Sequence, residues 1–344
     1  MRRGLYFFLS VLIFCVAFWG VTYTSDWAGY EIFFDKGMDI KEDVGSTFLF
    51  NFLKDNGYDD FRVAFRLHIV LMGLLFPFVY KKLGLNPIPY TILLIVLSYV
   101  PLANQIRYYV AFPAMLLSVI YYTEKQYIKC IALLVFAVAF HQTTIVLGLV
   151  LLFYYQYTGK TQNNTRHKRY VTCGLVGSLL FLIIMYTQLG AYLGDYAYYT
   201  SADQKSSTIG GVFNLLPCML GVPVVLYYDQ KVKKKHGEII KYNYQRYRLF
   251  LLLSIATCIL MPLCLRMQIL NTRMIIRFFT IWVAYLVYIK STGRKLGIRI
   301  NTTPSVLALI LFNLFHQTLL AYWLGIIETP IPEELLMILA SYQL

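Results

Sequence analysis

Long apolar runs, separated by short polar segments, recur along the whole chain. A helix needs about 20 apolar residues to cross the roughly 30 Å hydrocarbon core of a bilayer. Nine runs come near that length, at residues 5–21, 64–80, 88–103, 108–122, 171–188, 209–228, 249–265, 276–289 and 303–327. The pattern predicts an all-α, polytopic membrane protein that forms one integral membrane domain over residues 1–344.

A further apolar segment, residues 131–156, has basic residues on both flanks. A single crossing would place one flank on the wrong side of the membrane, and the segment is too short for two full spans. We therefore predict a re-entrant or short-helix hairpin that turns at residues 141–144. Backbone of this kind must be buried in protein or line a wet cavity. With this hairpin, the predicted total is about 9 to 11 transmembrane helices.

Charge gives the predicted orientation, because Lys and Arg are retained in cytoplasmic loops. Arg2 and Arg3 precede the first run, and later basic clusters alternate with acidic connections. This alternation predicts a cytoplasmic N-terminus and an external C-terminus. The net charge of +14 is then a topology bias rather than a nucleic-acid footprint, and a content of 58% hydrophobic residues excludes a water-soluble domain.

The first outer loop, residues 22–63, holds more than half of the chain's 17 acidic residues. Large apolar side chains at residues 32–34 and 48–53 give it two apolar faces. These faces predict short amphipathic helices that lie at the membrane surface. Gly37, Gly45 and Gly57 are expected to interrupt them.

Asp26 lies a few residues beyond the first apolar run and is followed, one helical turn later, by Tyr30 and Glu31. This position favours Asp26 as a catalytic or acceptor-positioning carboxylate, with Tyr30 and Glu31 as substrate-binding residues. From spacing alone, an N-cap of a short helix explains Asp26 equally well.

Arginines near the outer ends of predicted spans stand where a membrane protein avoids positive charge. An Arg at the centre of a membrane helix costs about 2.5 to 3.5 kcal/mol, so such residues are functional candidates. Arg107, Arg266, Arg273 and Arg277 form this set, and the last two share a helical face at i,i+4. Guanidinium groups bind phosphate oxygens bidentately, which predicts a diphosphate clamp. For Arg66 and Arg266, contact with lipid phosphates or with the acidic loop is the alternative.

His141 lies at the turn of the predicted hairpin, beside Gln142. A neutral imidazole there could hydrogen-bond a sugar, a phosphate or a carboxylate, although a lone membrane histidine is often a packing residue. His68 and His316 lie within spans and rank below it. Gln105 and Gln142 join the candidate substrate-binding residues.

The six cysteines are scattered and lack metal-ligand spacing. No cofactor is expected, and no metal is required if guanidinium groups supply the charge. A divalent ion held by an aspartate is the alternative.

Four short motifs follow one another along most of the chain. They are Asp26-Trp27-x-x-Tyr30, Asn104-Gln105-Ile106-Arg107, Ala139-Phe140-His141 and Arg273-x-x-x-Arg277-Phe278. Together they resemble the EpsG family of bacterial polysaccharide polymerases, which are similar in role to Wzy repeat-unit polymerases. Trp27 stands where the family has a tyrosine, and Tyr108 stands where it often has a glutamine.

The resemblance implies a GT-C-like glycosyltransferase in the bacterial inner membrane, acting in capsule, exopolysaccharide or O-antigen assembly. It would transfer a glycan from a polyprenyl diphosphate carrier onto a lipid-linked repeat unit at the outer face, in contact with membrane lipid and with a chain-length regulator as a further partner. Arg107, Arg273 and Arg277 would bind the diphosphate. Asp26 would be the base or position the acceptor, with His141 in the same cavity.

Two other functions use similar residues. A flippase or transporter of lipid-linked oligosaccharides also needs cations for the diphosphate, but it requires a polar path to the cytoplasmic side. A membrane acyltransferase would require a buried histidine or Asp-His pair facing the acyl donor.

Overall fold

The computed structural model describes residues 2–36, 43–145, 148–149, 151–153, 164–185, 208–244, 246–254, 276–325 and 327–343. Every regular element in these ranges is a helix. The chain divides into two compact units: the first contains residues 1–152 and 331–344, and the second contains residues 153–330.

The first unit begins with seven helices. They are α1 (Arg2–Trp19), α2 (Trp27–Lys36), α3 (Val44–Asp55), α4 (Phe61–Lys82), α5 (Pro87–Asn104), α6 (Ile106–Thr123) and α7 (Tyr127–Phe140). The second unit contains α8 (Asn164–Met185), α9 (Thr208–Lys235), α10 (Gly237–Tyr242), α11 (Ile276–Lys295) and α12 (Thr303–Phe315). A π-helical turn, His316–Leu320, continues α12 into Ala321–Trp323. The last helix, α13 (Glu333–Ala340), belongs to the first unit.

Four helices in the described ranges are long and apolar enough to cross a membrane. They are Phe61–Lys82, Pro87–Asn104, Gly210–Lys235 and Thr303–Trp323. Gly4–Trp19 and Tyr127–Phe140 are shorter apolar helices. These helices support the predicted all-α membrane protein, whereas the number of spans and the GT-C-like architecture stay predictions.

The connection between α5 and α6 is a single residue, Gln105. The Gln105 amide donates to the carbonyl of Pro101 at 2.9 Å and ends α5, and the Gln105 carbonyl accepts from the Tyr109 amide at 3.1 Å and begins α6. Helix α6 then returns along α4, so that the Lys82 ammonium lies 4.4 Å from the centre of the Tyr121 ring. The apolar runs at residues 88–103 and 108–122 therefore form two separate helices that are joined by a tight turn at residues 104–107.

Helix α7 has 14 residues, which is about 21 Å and too short to cross the bilayer. It ends at His141, which has extended backbone at φ −162° and ψ 107°. The chain then folds back on α7. Gly148 lies against that helix, since a Cβ placed on it would be 3.1 Å from the Leu134 side chain. The turn lies where the sequence predicted it.

The first outer loop forms α2 and α3, as its apolar faces predicted. Trp27 of α2 packs edge-on against Phe61 at the start of α4, with ring centres 4.8 Å apart, and Phe50 of α3 lies 6.1 Å from the same ring. Gly57, at φ +81°, follows the end of α3 as expected. The expectation for Gly45 is wrong, because it lies within the first turn of α3. Gly37 lies outside the described residues.

The end of α1 is joined to residues near the C-terminus. The Gln343 amide donates to the carbonyl of Gly20 at 2.7 Å, and the Thr22 hydroxyl donates to the carbonyl of Ser341 at 2.6 Å. The segment that follows α13 therefore lies beside the start of the first outer loop.

In the second unit, α9 packs closely on α11 at Gly221. Trp282 is fully buried, and a Cβ on Gly221 would overlap its indole ring. A glycine is therefore needed where α9 and α11 meet.

In the same unit, the Tyr247 hydroxyl donates to the Asp229 carboxylate, which also pairs with Lys233 at 2.7 Å.

We expect Gly221→Ala to lower the thermal stability of the purified protein, because overpacking a buried site costs about 1 to 3 kcal/mol. Gly177→Ala is the matched control, since nothing lies within 4 Å of a Cβ at that helical position. Thermal unfolding in detergent measures both variants. Equal melting temperatures for the two variants would contradict the close approach at Gly221.

Candidate functional site

A largely buried ion pair joins the first outer loop to the turn between α5 and α6. Arg107, in the first turn of α6, places Nη1 2.6 Å from Oδ2 of Asp43, the residue before α3. The Arg107 side chain is 19% exposed and that of Asp43 is 5% exposed. Because both charges are largely removed from water, each is a strong constraint on the position of the other.

Local backbone geometry leaves the Asp43 carboxylate available to Arg107. Asp43 occupies the N-cap position of α3, but its side chain makes no capping hydrogen bond there. Its carbonyl instead accepts from the Thr47 amide at 3.2 Å and from the Thr47 hydroxyl at 3.1 Å. Gly45 lets α3 approach the end of α7, since a Cβ there would lie 3.1 Å from the carbonyl oxygen of Ala139.

His141 approaches the same carboxylate from the end of α7. Its Nδ1 lies 3.5 Å from Asp43 Oδ2, which is longer than a hydrogen bond but close enough for a charge contact if the imidazole is protonated. The Tyr108 ring meets the imidazole edge-on at 5.3 Å, and the His141 carbonyl accepts from the Thr144 hydroxyl at 2.7 Å. Asp43 therefore lies between a guanidinium and an imidazole.

Aromatic side chains of α2 lie against the guanidinium of Arg107. Its central carbon is 5.2 Å from the centre of the Tyr30 ring and 6.0 Å from that of Phe33. A cation over an aromatic face is stabilised by the ring quadrupole, most strongly where water is excluded. The structure thus brings together three candidates from separate segments: Tyr30, Arg107 and His141.

Asp26 lies just before α2, and its carbonyl accepts from the Tyr30 amide at 3.1 Å. Its side chain is exposed, as is that of Glu31 on α2. The neighbouring Ser25 hydroxyl accepts a 2.7 Å hydrogen bond from the Asn104 amide group. This bond holds the start of α2 beside the tip that carries Arg107.

The two candidate glutamines occupy the turns that flank the ion pair. Gln105 is the single residue between α5 and α6, and Gln142 follows His141, with its carbonyl accepting from the Ile145 amide at 3.0 Å. Both are partly exposed. Their positions are compatible with the predicted substrate contacts.

The other candidate arginines fall elsewhere. Arg266 and Arg273 lie outside the described residues, and Arg277 lies in the first turn of α11 with only its backbone described. Arg66 donates from Nε to the carbonyl of Trp19 at 3.2 Å and stacks over its ring at 5.0 Å. For Arg66, these contacts fit a packing role.

The two lower-ranked histidines are packed within helices. His68 is fully buried, with Nδ1 2.8 Å from the carbonyl of Ala64 and its ring 5.9 Å from that of Phe140. His316 stacks on Phe213 at 3.8 Å and contacts its carbonyl through Nε2 at 2.8 Å. Both geometries are those of packing residues.

Sequence reasoning missed Asp43. It is one of many acidic residues in the first outer loop, and nothing in its spacing connects it to Arg107. The available signal was weak: an aspartate two residues before a Gly-Ser-Thr segment at the start of an apolar helix. In the ranges that the structure covers, no three His, Cys, Asp or Glu side chains are grouped to hold a metal ion.

Comparison with known families gives one match, in which the EpsG family model covers residues 5–327. The chain belongs to the EpsG family. Neither the curated proteins nor the solved structures provided a match. As an EpsG protein, it is a membrane protein of the polysaccharide-polymerase type, and the ion pair lies within the matched region.

In this EpsG protein, we expect Asp43→Asn to lower stability by about 3 kcal/mol, because it leaves a largely buried guanidinium uncompensated. Arg107→Gln should cost a similar amount. The double variant Asp43→Asn/Arg107→Gln should lose much less than the sum of the two single losses. Thermal unfolding in detergent measures the cycle, with the exposed Asp59→Asn as the control. Additive losses would show that the two side chains do not interact.

Proposed function

We propose that the chain is a polysaccharide polymerase in the bacterial inner membrane. It transfers a growing glycan from a polyprenyl diphosphate carrier onto a lipid-linked repeat unit at the outer face. The observation that carries the proposal is the largely buried Arg107 in the first turn of α6, paired with an Asp43 carboxylate that also contacts His141, in a chain of the EpsG family.

Arg107 is well suited to bind a diphosphate. The N-terminus of α6 carries the positive end of a helix dipole and amides that point outward from the helix, so a second source of positive potential adds to the guanidinium. The planar guanidinium presents five N–H donors, and Asp43 contacts it through Nη1. The carboxylate orients the group, and the exposed part of the side chain can meet phosphate oxygens.

In the proposed reaction, a hydroxyl oxygen of the acceptor sugar forms a bond to the anomeric carbon of the donor glycan. The bond between that carbon and the diphosphate oxygen breaks, and polyprenyl diphosphate leaves with the bonding electrons. Arg107, with Arg273 and Arg277 as further predicted ligands, offsets the charge that develops on the leaving group. The hydroxyl proton passes to Asp26 or to His141, and Asp43 positions the imidazole.

The remaining candidates have supporting roles in this proposal. Tyr30 stacks on Arg107 and limits the access of water to it. Glu31, Gln105 and Gln142 are proposed to hydrogen-bond sugar hydroxyls, and Arg266 is a further predicted contact for the carrier. Guanidinium groups supply the positive charge that the leaving diphosphate requires.

One observation favours a second function. The contact between Asp43 and His141 is the Asp-His arrangement that a membrane acyltransferase would use to activate a hydroxyl of the same glycans. In that case the imidazole would take the proton while the hydroxyl oxygen forms a bond to the acyl carbon, and the bond between that carbon and its carrier breaks, so that the carrier leaves with the bonding electrons. Arg107 pairs with the same carboxylate, and its positive charge favours a reaction in which a diphosphate leaves.

The test is to supply the purified protein in liposomes with a lipid-linked repeat unit and to separate the products by size. We expect a ladder of polymer lengths from the wild type. Arg107→Gln should reduce its rate by about 10² to 10³, the usual loss when a group that stabilises developing charge is removed. Asp26→Asn and Arg273→Ala should also reduce it strongly. Arg66→Gln is the control, because Arg66 is held by Trp19.

Each alternative has its own readout in the same liposomes. Unchanged ladders in Arg107→Gln, Asp26→Asn and Arg273→Ala would overturn the assigned residues. Movement of the lipid-linked unit across the bilayer without ladders would indicate a flippase. Transfer of a labelled acyl group to the glycan, lost in His141→Gln, would indicate an acyltransferase.

A further inference from the structure

The second unit contains a basic cleft where α11 ends and α12 begins. It has a volume of about 520 Å³ and is lined by Lys290 and Arg294 of α11 and by residues 297–301 of the following loop, which include Arg299 and Asn301. We call this feature the basic cleft. It belongs to a different unit of the chain from the pair of Asp43 and Arg107.

The shape of the basic cleft comes from the way α11 ends. Gly297, at φ +74°, reverses the chain, and the Ile298 amide donates to the carbonyl of Gly293 at 2.8 Å. A Cβ on Gly293 would lie 2.9 Å from the carbonyl oxygen of Ile298, so the loop is packed tightly on the helix. The Thr302 hydroxyl, bonded to the carbonyl of Leu286 at 3.1 Å, secures the far side of the loop.

Three cations converge on this concave surface. Lys290 and Arg294 are four residues apart and share one face of α11, and Arg299 approaches from the loop. No acidic residue lines the cleft, and within the described part of the chain none of the three forms an ion pair. Lys290 donates to the Thr303 hydroxyl at 2.5 Å. Three cations held together without an anion repel one another, so an anionic ligand would be stabilised here.

The bias of basic residues toward one side of a membrane explains the sign of these charges. It does not explain why they meet at one cleft. Lys295 is also basic and exposed, and it follows Arg294 directly, yet it does not line the cleft. The start of α12 is capped by Asn301, whose Oδ1 accepts from the Thr303 amide at 3.2 Å, so the positive potential of the cleft comes from its side chains. The positive charges of Lys290, Arg294 and Arg299 are therefore concentrated at the basic cleft.

We infer that the basic cleft binds the phosphate of an anionic lipid head group. Arginine binds phosphate oxygens through a planar fork, which gives geometric as well as charge selectivity. The helix Thr303–Trp323 is long and apolar enough to cross a membrane, so its first residue lies near one membrane surface, where lipid phosphates are concentrated. This inference does not depend on the proposed polymerase activity.

The test measures binding of the full-length protein in detergent to a phosphatidylglycerol and to a phosphatidylcholine of equal chain length, by native mass spectrometry. We expect the wild type to retain phosphatidylglycerol preferentially. Arg294→Gln/Arg299→Gln should weaken that binding about 10-fold or more, because each charge-assisted hydrogen bond contributes substantially to affinity. The control is Lys295→Gln/Lys234→Gln, which removes two exposed positive charges of the same unit outside the cleft.

Further measurements distinguish the sources of the phosphate. Equal weakening in both double variants would mean that only the overall charge matters, and would overturn the inference. Equal retention of the two lipids by the wild type would also overturn it. Inorganic phosphate that displaces the lipid at comparable concentration would assign the cleft to a free phosphate instead. Unchanged melting temperatures confirm that the variants are folded, and ladder synthesis is scored separately.

Discussion

Burial of the Arg107 guanidinium beside the Asp43 carboxylate is the constraint on which the first unit depends. A charge removed from water without a partner costs several kcal/mol, so α6 can hold Arg107 there only if an anion accompanies it. The first outer loop supplies that anion through the residue before α3. Packing of the loop against the helices is therefore coupled to the position of Arg107 in the candidate site.

The site also depends on how two helices end. Helix α6 begins at Ile106, one residue after α5, and α7 ends at Phe140 just before the extended His141. Because α6 and α7 run in opposite directions, the start of one lies beside the end of the other, and Tyr108 meets the imidazole. Helix ends leave amides and carbonyls unpaired, so the tight turns here concentrate polar groups inside an apolar bundle.

Local pattern was sufficient for part of this arrangement. The turn at residues 104–107 and the helices of the loop follow from apolar periodicity and its interruptions. The reversal after Phe140 follows from the length of the apolar segment at residues 131–156 and the basic residues on both of its flanks. Asp43 could not be found in this way, since its partner Arg107 is distant in sequence and other carboxylates of the loop fit equally well. The expectation for Gly45 was wrong because glycine generally disfavours a helix, whereas here it allows α3 to approach Ala139 closely. Helix α13 has eight residues and begins with Glu333 and Glu334, so its sequence did not predict a membrane span.

Arg66 and Arg107 show that an arginine near the first outer loop is not by itself a ligand site. Both are arginines near the first outer loop, and both stack on an aromatic ring. Arg66 donates to a backbone carbonyl, which is a neutral partner. Arg107 faces a carboxylate that also contacts an imidazole. Only the second arrangement places a cation, an anion and a titratable group together, and these are the groups that the proposed transfer of a glycan from a diphosphate would use.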